Sequence, residues 1–377
     1  MTTQKYDAIV LGTGGVGSAA MYHLARRGLR VLGLDRFPVA HDQGSSHGES
    51  RAIRQAYFEH PEYVPLILRA YELWRELESE TGAELLVESG LLQVGPSGGE
   101  VIEGVFRAAE LHGLQIERLT PGEIERRFPQ FTVSEDTVGA YESAGGYLHV
   151  EASVEHHLQR AGRLGAEWIQ EPVLGWAEHP GFVEVQTANQ RYNAEKLVVC
   201  AGPWANRMLL GKRLSCTLTV LSKHMRWYAT DSRAERAEDP VFLFEEPGGV
   251  FYGFPAVDGK TVKVAEHSGG EVWDGDPRDF DRSAESIEQS RIDDFVAARM
   301  KHVVLPAVRN EACFYTVSPD EHFILGEVPD NDRIVIATGL SGHGFKFAPV
   351  LGQAIADLVQ NGSTDLPIDF LSPERFG

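Results

Sequence analysis

The sequence predicts an α/β protein: a Rossmann-like dinucleotide-binding domain interleaved with a β-rich α+β domain. Three observations carry that prediction. The chain opens on a complete strand, glycine turn, helix and strand, YDAIVLGTGGVGSAAMYHLARRGLRVLGLDR from Tyr6 to Arg36. A second glycine-rich strand-to-helix turn, GLSGHGFKFAP from Gly339 to Pro349, closes it. Between them the later half shows more strand-type alternation than helical periodicity.

In the opening unit, Asp7 to Leu11 is a short apolar run suited to a buried parallel strand. Gly12, Gly14 and Gly17 follow in G-x-G-x-x-G spacing. Ser18 to Arg27 reads as a helix stopped by Gly28, and Leu29 to Leu34 as a second strand ending at Asp35. The glycines permit a tight turn and close backbone approach, and the helix N-terminus attracts a pyrophosphate. Asp35 stands 18 positions past Gly17, where a carboxylate can bind ribose hydroxyls. This unit fits FAD or NAD equally; Asp35 disfavours only NADP.

Further along, Tyr63 to Glu80 has apolar positions at helical spacing. Leu85 to Val94 reads as a strand and Val101 to His112 as a helix. Thr120 to Glu123 (TPGE) carries a capping box with proline at the first helical position. Val150 to Leu164 is a helix, and Lys196 to Ala201 a buried strand in which Cys200 reads as core filler. Val250 to His267 reads as a hairpin about Asp258-Gly259. Ile334 to Ala337 is a strand, and Ala348 to Val359 a helix. The expected division is therefore discontinuous: residues 1–82, 146–215 and 316–377 form the nucleotide domain, and residues 83–145 and 216–315 the substrate domain.

Composition narrows the function classes. The 377 residues carry 35 basic and 55 acidic side chains, for a net charge of −20. Phosphate-backbone binding needs clustered positive charge, so nucleic acid is an unfavoured partner, as is an anionic membrane surface. No apolar run approaches the ~18 residues that span a bilayer. The N-terminus shows no basic region followed by a long apolar segment, so no leader is expected. Cys200, Cys216 and Cys313 lack metal-ligand spacing and form an odd set, which points away from zinc and from a disulfide framework, and towards a reducing cytoplasm.

Three stretches could carry chemistry. In GSSHGESRAIRQAYFE (Gly44 to Glu59), a helical turn would place Arg51, Arg54 and Tyr57 on one face, where two arginines can clamp a carboxylate; the alternative is a solvated basic face. In the hairpin, Lys263 and His267 share a strand face about 13 Å apart, enough to serve two sides of a planar ring; the alternative is an exposed strand. In GLSGHGFKFAP, the start of a helix could stabilise negative charge on a ring system. Lys346 there would need an anionic partner, or would snorkel to the surface.

With these pieces in order, the chain resembles the flavin amine oxidases of the sarcosine oxidase and N-methyltryptophan oxidase type, whose FAD domain is glucose-oxidase-like. The likeness covers GTGGVG, GSSHGESRAIRQAY, YVPLILRAYELW, CAGPW, VFYGFP, KVAEH, CFYTVSPDEHFI and GLSGHGFKFAPVLG. The resemblance implies FAD joined to Cys313 by an 8α-S-cysteinyl bond. It implies catalytic roles for Arg51 near the flavin ring, for Lys263 in oxygen reduction, and for His267 and Tyr252 beside the substrate. It implies a substrate carboxylate bound by Arg54 and Lys346, in a pocket lined by Tyr57, Tyr315 and His343. Cofactor contacts are expected from Ser45, Ser50, Gly342, Gly344 and Lys346 besides the opening glycines and Asp35. The substrate implied is a sarcosine- or N-methyltryptophan-type amine, with O2 as acceptor and a monomeric enzyme. Pipecolate and glycated amino acids stay open within the family. Outside it, an NAD-dependent dehydrogenase and a non-catalytic flavin protein stay open. Ser46, Glu49, Ser50, Phe58 and Leu243 depart from the usual pattern and bear on which substrate fits.

Overall fold

The computed structural model describes residues 5–209, 214–231 and 239–377. Residues 1–4, part of the stretch read as lacking a leader, lie outside the described residues. Strand β1 (Lys5–Leu11), helix α1 (Gly15–Arg26) and strand β2 (Val31–Asp35) form the opening unit. Every residue of β2 is buried, as a strand covered on both faces requires. β1 lies between β2 and strand Arg191–Val199, parallel to both. Strands Glu167–Gln170 and Asn331–Thr338 extend the parallel set on either side. An antiparallel hairpin, Val173–His179 with Phe182–Thr187, and strand Ile324–Val328 complete eight strands. Helices α1, Val150–Arg163 and Ala348–Asn361 pack together on one face.

The helix α1 begins three residues earlier than the periodicity predicts, because Gly15 and Gly17 form its first turn. The reason is steric. A Cβ at Gly17 would lie 1.8 Å from the Gly12 carbonyl oxygen. Gly12 itself has φ +86, and a Cβ there would meet the Cys200 carbonyl oxygen at 2.5 Å. Only glycine lets the strand, the turn and the helix approach this closely.

A second sheet of nine strands lies beyond. Its centre is the predicted hairpin, Gly249–Phe254 with Thr261–Glu266, flanked by Thr219–Thr230 and Val241–Glu246. Strand Leu91–Pro96 runs parallel to Val241–Glu246, and Val303–Val317 pairs with Thr219–Thr230. One face packs Phe242, Phe244, Val262 and Val264 against helix Ile287–Arg299. On the other, the register sets Met225, Ala265, Tyr252, Leu243 and Gln93 in one cross-strand row. Strands of the first sheet fall within 1–82, 146–215 and 316–377. Those of the second fall within 83–145 and 216–315, except that Val303–Val317 runs two residues past the last boundary.

Two local expectations are corrected. The Arg51–Tyr57 stretch is not a helical turn: Ser50–Ile53 is strand β3, paired with Gly146–His149. Leu85 to Val94 is not one strand. It splits into Leu86–Val87 and Leu91–Pro96, with Gly90 at φ +86 between them. The capping box stands: Thr120 accepts from the Glu123 backbone N–H, and Glu123 accepts from that of Thr120. Helix α2 (Tyr63–Thr81) ends at Gly82 in the left-handed region. Among the described residues no helix is long and apolar enough to cross a membrane.

Candidate active site

One continuous cavity runs from the opening glycine turn to the face of the second sheet. At the first end, Gly12, Gly14 and the α1 N-terminus face it. Asp35 closes β2 with its carboxylate accepting from the backbone N–H of Thr13 at 2.7 Å and of Phe37 at 3.0 Å. The Gly15 N–H donates to Ser46 Oγ at 3.2 Å, which draws the loop after β2 over the helix N-terminus. Backbone donors, a positive dipole end and a carboxylate at the strand end suit the pyrophosphate and ribose of a dinucleotide. At Gly12 a Cβ would press on the Cys200 and Ala201 backbone that forms this wall, so only glycine keeps the cradle open and the residues present fit the group. Cys200 is not simple core filler: it is partly buried and also forms cavity wall beside Gly12.

At the other end, β3 and the loop after it carry the arginines. Arg51 donates to the carbonyls of Ser45 and Ser50, each at 2.9 Å. Lys263 donates to those of Gly48 at 2.7 Å and Ser50 at 2.6 Å, and its ammonium lies 4.1 Å from the centre of the Phe254 ring. Two cations thus pin the Ser45–Ser50 loop through its carbonyls. Ser45 Oγ donates onward to the Phe314 carbonyl, beside Cys313. Burial, reinforced by Arg51, drives the Lys263 ammonium well below its ordinary range. Arg51 is on the cavity wall, whereas Lys263 and Cys313 are buried in the sheet beside it. Burial also raises the Cys313 thiol, against the pull of Arg51.

Arg54 and Lys346 both line the cavity and are 4% and 5% exposed. Lys346 sits on the short turn Phe345–Phe347 that leads into the last helix, and donates to the His343 carbonyl at 2.8 Å. Burial and then Arg54 push its ammonium well below the ordinary value. Arg54 lies between the rings of Tyr57 and Phe58, at 4.6 and 4.7 Å. Its charge is met by Glu59, a residue the sequence reading did not assign. Burial would raise the Glu59 carboxyl, yet Arg54, His343 and Lys346 together bring it down to about 2. The signal was present: Glu59 ends the arginine-bearing stretch, five positions after Arg54.

His267, Tyr252 and Tyr315 line the cavity too. Tyr315 Oη lies 3.5 Å from both Tyr252 Oη and His267 Nδ1. Gly342, at φ +81, leaves room for this ring; a Cβ there would lie 2.3 Å from it. At Gly344 a Cβ would likewise lie 2.6 Å from that of Leu340. Burial lowers His267 to about 4 and His343 to about 3, so both are neutral imidazoles near pH 7. Tyr57 is fully buried and does not line the cavity. It touches His343 instead, its Oη 2.5 Å from Nδ1, and so holds the imidazole from behind. Ser50 and Gly17 also lie off the wall. The arrangement offers two buried cations suited to a carboxylate and neutral polar side chains at one end of the cavity, and a cradle for a dinucleotide at the other.

The family model described as FAD dependent oxidoreductase matches residues 7–358. The chain is 40% identical to monomeric sarcosine oxidase of Streptomyces avermitilis over 378 residues, which span 98% of this chain and 97% of the relative. It is 36% identical to N-methyl-L-tryptophan oxidase of Yersinia pestis over 380 residues, spanning 98% and 99%. Among solved structures it is similar to NikD, described as an unusual amino acid oxidase essential for nikkomycin biosynthesis, with a TM-score of 0.87, 27% identity and 98% of each chain covered. Glycine oxidase from Geobacillus kaustophilus superposes with a TM-score of 0.80 at 22% identity, a likeness of fold.

Proposed function

From the premise that this chain belongs to the FAD-dependent oxidoreductase family and is a flavin amine oxidase, we propose that it oxidises a secondary α-amino acid of the sarcosine or N-methyltryptophan type with O2 as acceptor. Glu59 supports the carboxylate half of that reading most directly. A carboxylate from the chain's own loop already sits on Arg54, facing the cavity that Lys346 shares. A substrate carboxylate takes that place, bound by Arg54 and Lys346, and Glu59 gives way. His267, Tyr252 and Tyr315 face the amine from the other wall. Burial of this wall and the positive charge of Arg54 and Lys346 disfavour an ammonium and so favour the unprotonated amine, the form that can be oxidised. The product imine hydrolyses in water.

Gly12, Gly14 and Asp35 would hold the dinucleotide half of FAD, with Gly17 letting the helix approach behind them; Ser45, Arg51, Gly342 and Gly344 would surround its ring, with the Ser50 carbonyl holding Arg51 and Cys313 as covalent anchor. Bound FAD supplies the two-electron acceptor and, on reoxidation, the route to hydrogen peroxide. Lys263 places positive charge where oxygen is reduced. On this reading the two sheets are the cores of a nucleotide domain (1–82, 146–215 and 316–377) and a substrate domain (83–145 and 216–315), in a monomeric enzyme. Three free cysteines suit a reducing cytoplasm.

The test is peroxide release from a panel of N-methyl α-amino acids, their primary counterparts and their methyl esters. Oxidation of the N-methyl acids with loss of activity on the esters supports the reading. Peroxide from none of them, or equally from esters, overturns it.

A further inference from the structure

The cross-strand row that carries Tyr252 continues beyond the site described above. Tyr252 pairs with Leu243, and Leu243 pairs with Gln93. Residues directly opposite one another share a sheet face, so Gln93 points to the same side as Tyr252 and Leu243, both on the cavity wall. Leu91, on that face by alternation, lines the cavity too. Leu92 and Val94 face the opposite core.

Gln93 is 0% exposed, and neither its Nε2 nor its Oε1 has a hydrogen-bond partner among the described residues. Its surroundings are apolar. Leu243 and Ala140 flank it in register and belong to a cluster with Ala56, Val101 and Val105. An amide buried with both ends unmatched is destabilising, and an apolar residue of similar volume would fill the space without that cost. Gln93 itself lies behind the wall; Phe58 and Leu243 both line the cavity and belong to or pack on the cluster beside it. Phe58 also stacks on Arg54. Phe58 directly precedes Glu59 in the chain, so displacement of Glu59 by a substrate carboxylate acts on its neighbour.

We propose that Gln93 is a specificity residue for the substrate side chain: its amide pairs with a hydrogen-bonding group at the end of that side chain, while Phe58 and Leu243 sheathe the stem. This rests on the reading of the site as a secondary α-amino acid oxidase. The ligand class is N-alkyl α-amino acids whose side chain ends in an amide, hydroxyl or ring N–H. Gln93 lies two strands from Tyr252, roughly 10 Å between backbones, and its own side chain spans part of that interval.

The test compares N-methylglutamine with N-methylmethionine, which are near in size and differ in hydrogen bonding, on the flavin-loaded enzyme and on its Gln93→Met and Gln93→Leu variants. The wild type prefers N-methylglutamine in kcat/KM by about tenfold or more, mainly through KM, and both variants lose or reverse that preference. A preference unchanged in either folded variant overturns the proposal. So does a fall in Tm with the preference intact, because that marks a structural amide. An unpaired amide replaced by methionine should instead leave Tm equal or raised. If neither amine yields peroxide, the secondary amino acid reading fails and takes this inference with it. If both are oxidised at equal kcat/KM by the wild type, only the role of Gln93 fails.

Discussion

Glu59 grips Arg54 through one nitrogen: both carboxylate oxygens lie 2.6 Å from Nη2, at a site that exposes almost none of the arginine. The pair shapes both binding and stability. Glu59→Gln should lower KM for a carboxylate substrate several-fold, because the substrate no longer competes with an internal carboxylate. It should also cost about 3 kcal/mol of stability, since it leaves a buried guanidinium without its counter-charge. Steady-state kinetics and urea unfolding check the two halves, and a raised KM would contradict the first. Because the Glu59 carboxyl sits near 2, below its ordinary 4.5, its contribution is complete above about 4.5 and is lost as pH falls towards 2. The KM effect should therefore be flat between pH 6 and 9.

The buried histidines set a different pH window. Burial holds His267 and His224 near 4, and His343 and His157 near 3, against an ordinary 6.5. The unfolded chain takes up these protons and the folded chain resists them. Stability is thus complete above about 6.5 and declines as pH falls through 6.5 towards 4 and then 3. The urea midpoint should drop between pH 7.5 and 5, and His343→Gln should shrink the drop. A midpoint independent of pH in that range would contradict the burial assigned to these rings.

Lys263 is held by two carbonyls and stripped of solvent. Lys263→Met should slow reoxidation of the reduced flavin by O2 on the order of 100-fold, while anaerobic reduction by substrate changes far less. Stopped-flow measurement of the two half-reactions separates them. Equal slowing of both points to a lysine that only braces the Ser45–Ser50 loop.

Cys313 shares its sheet face with Lys223, its register partner, and packs against Met225, Trp227 and Tyr315. Acid precipitation of the wild type should give a yellow pellet, and Cys313→Ser should leave all colour in the supernatant. A yellow pellet from the variant moves the anchor elsewhere.

The nucleotide cradle was legible because its physics is local. Close approach of strand, turn and helix demands glycine at positions 12 and 17, and that demand is written in consecutive residues. The hairpin carrying Lys263 was legible for the same reason, through alternation and the Asp258-Gly259 turn. Glu59 and Tyr57 were misread or missed because their roles depend on partners far along the chain. Tyr57 meets His343 across 286 positions, and the strand pairing of β3 with Gly146–His149 decides which way Arg51 and Arg54 point. Gln93 looked like an ordinary strand residue; only its register beside Leu243 sets it on the cavity face.

The central claim is that Arg54 and Lys346 select a carboxylate on a secondary amine. Anaerobic titration of the flavin-loaded enzyme with an N-methyl α-amino acid and with its carboxamide, read at the visible flavin band, tests it most directly. The account predicts bleaching by the acid and little or none by the carboxamide. Equal bleaching by both, or a spectrum unmoved by either, would contradict it.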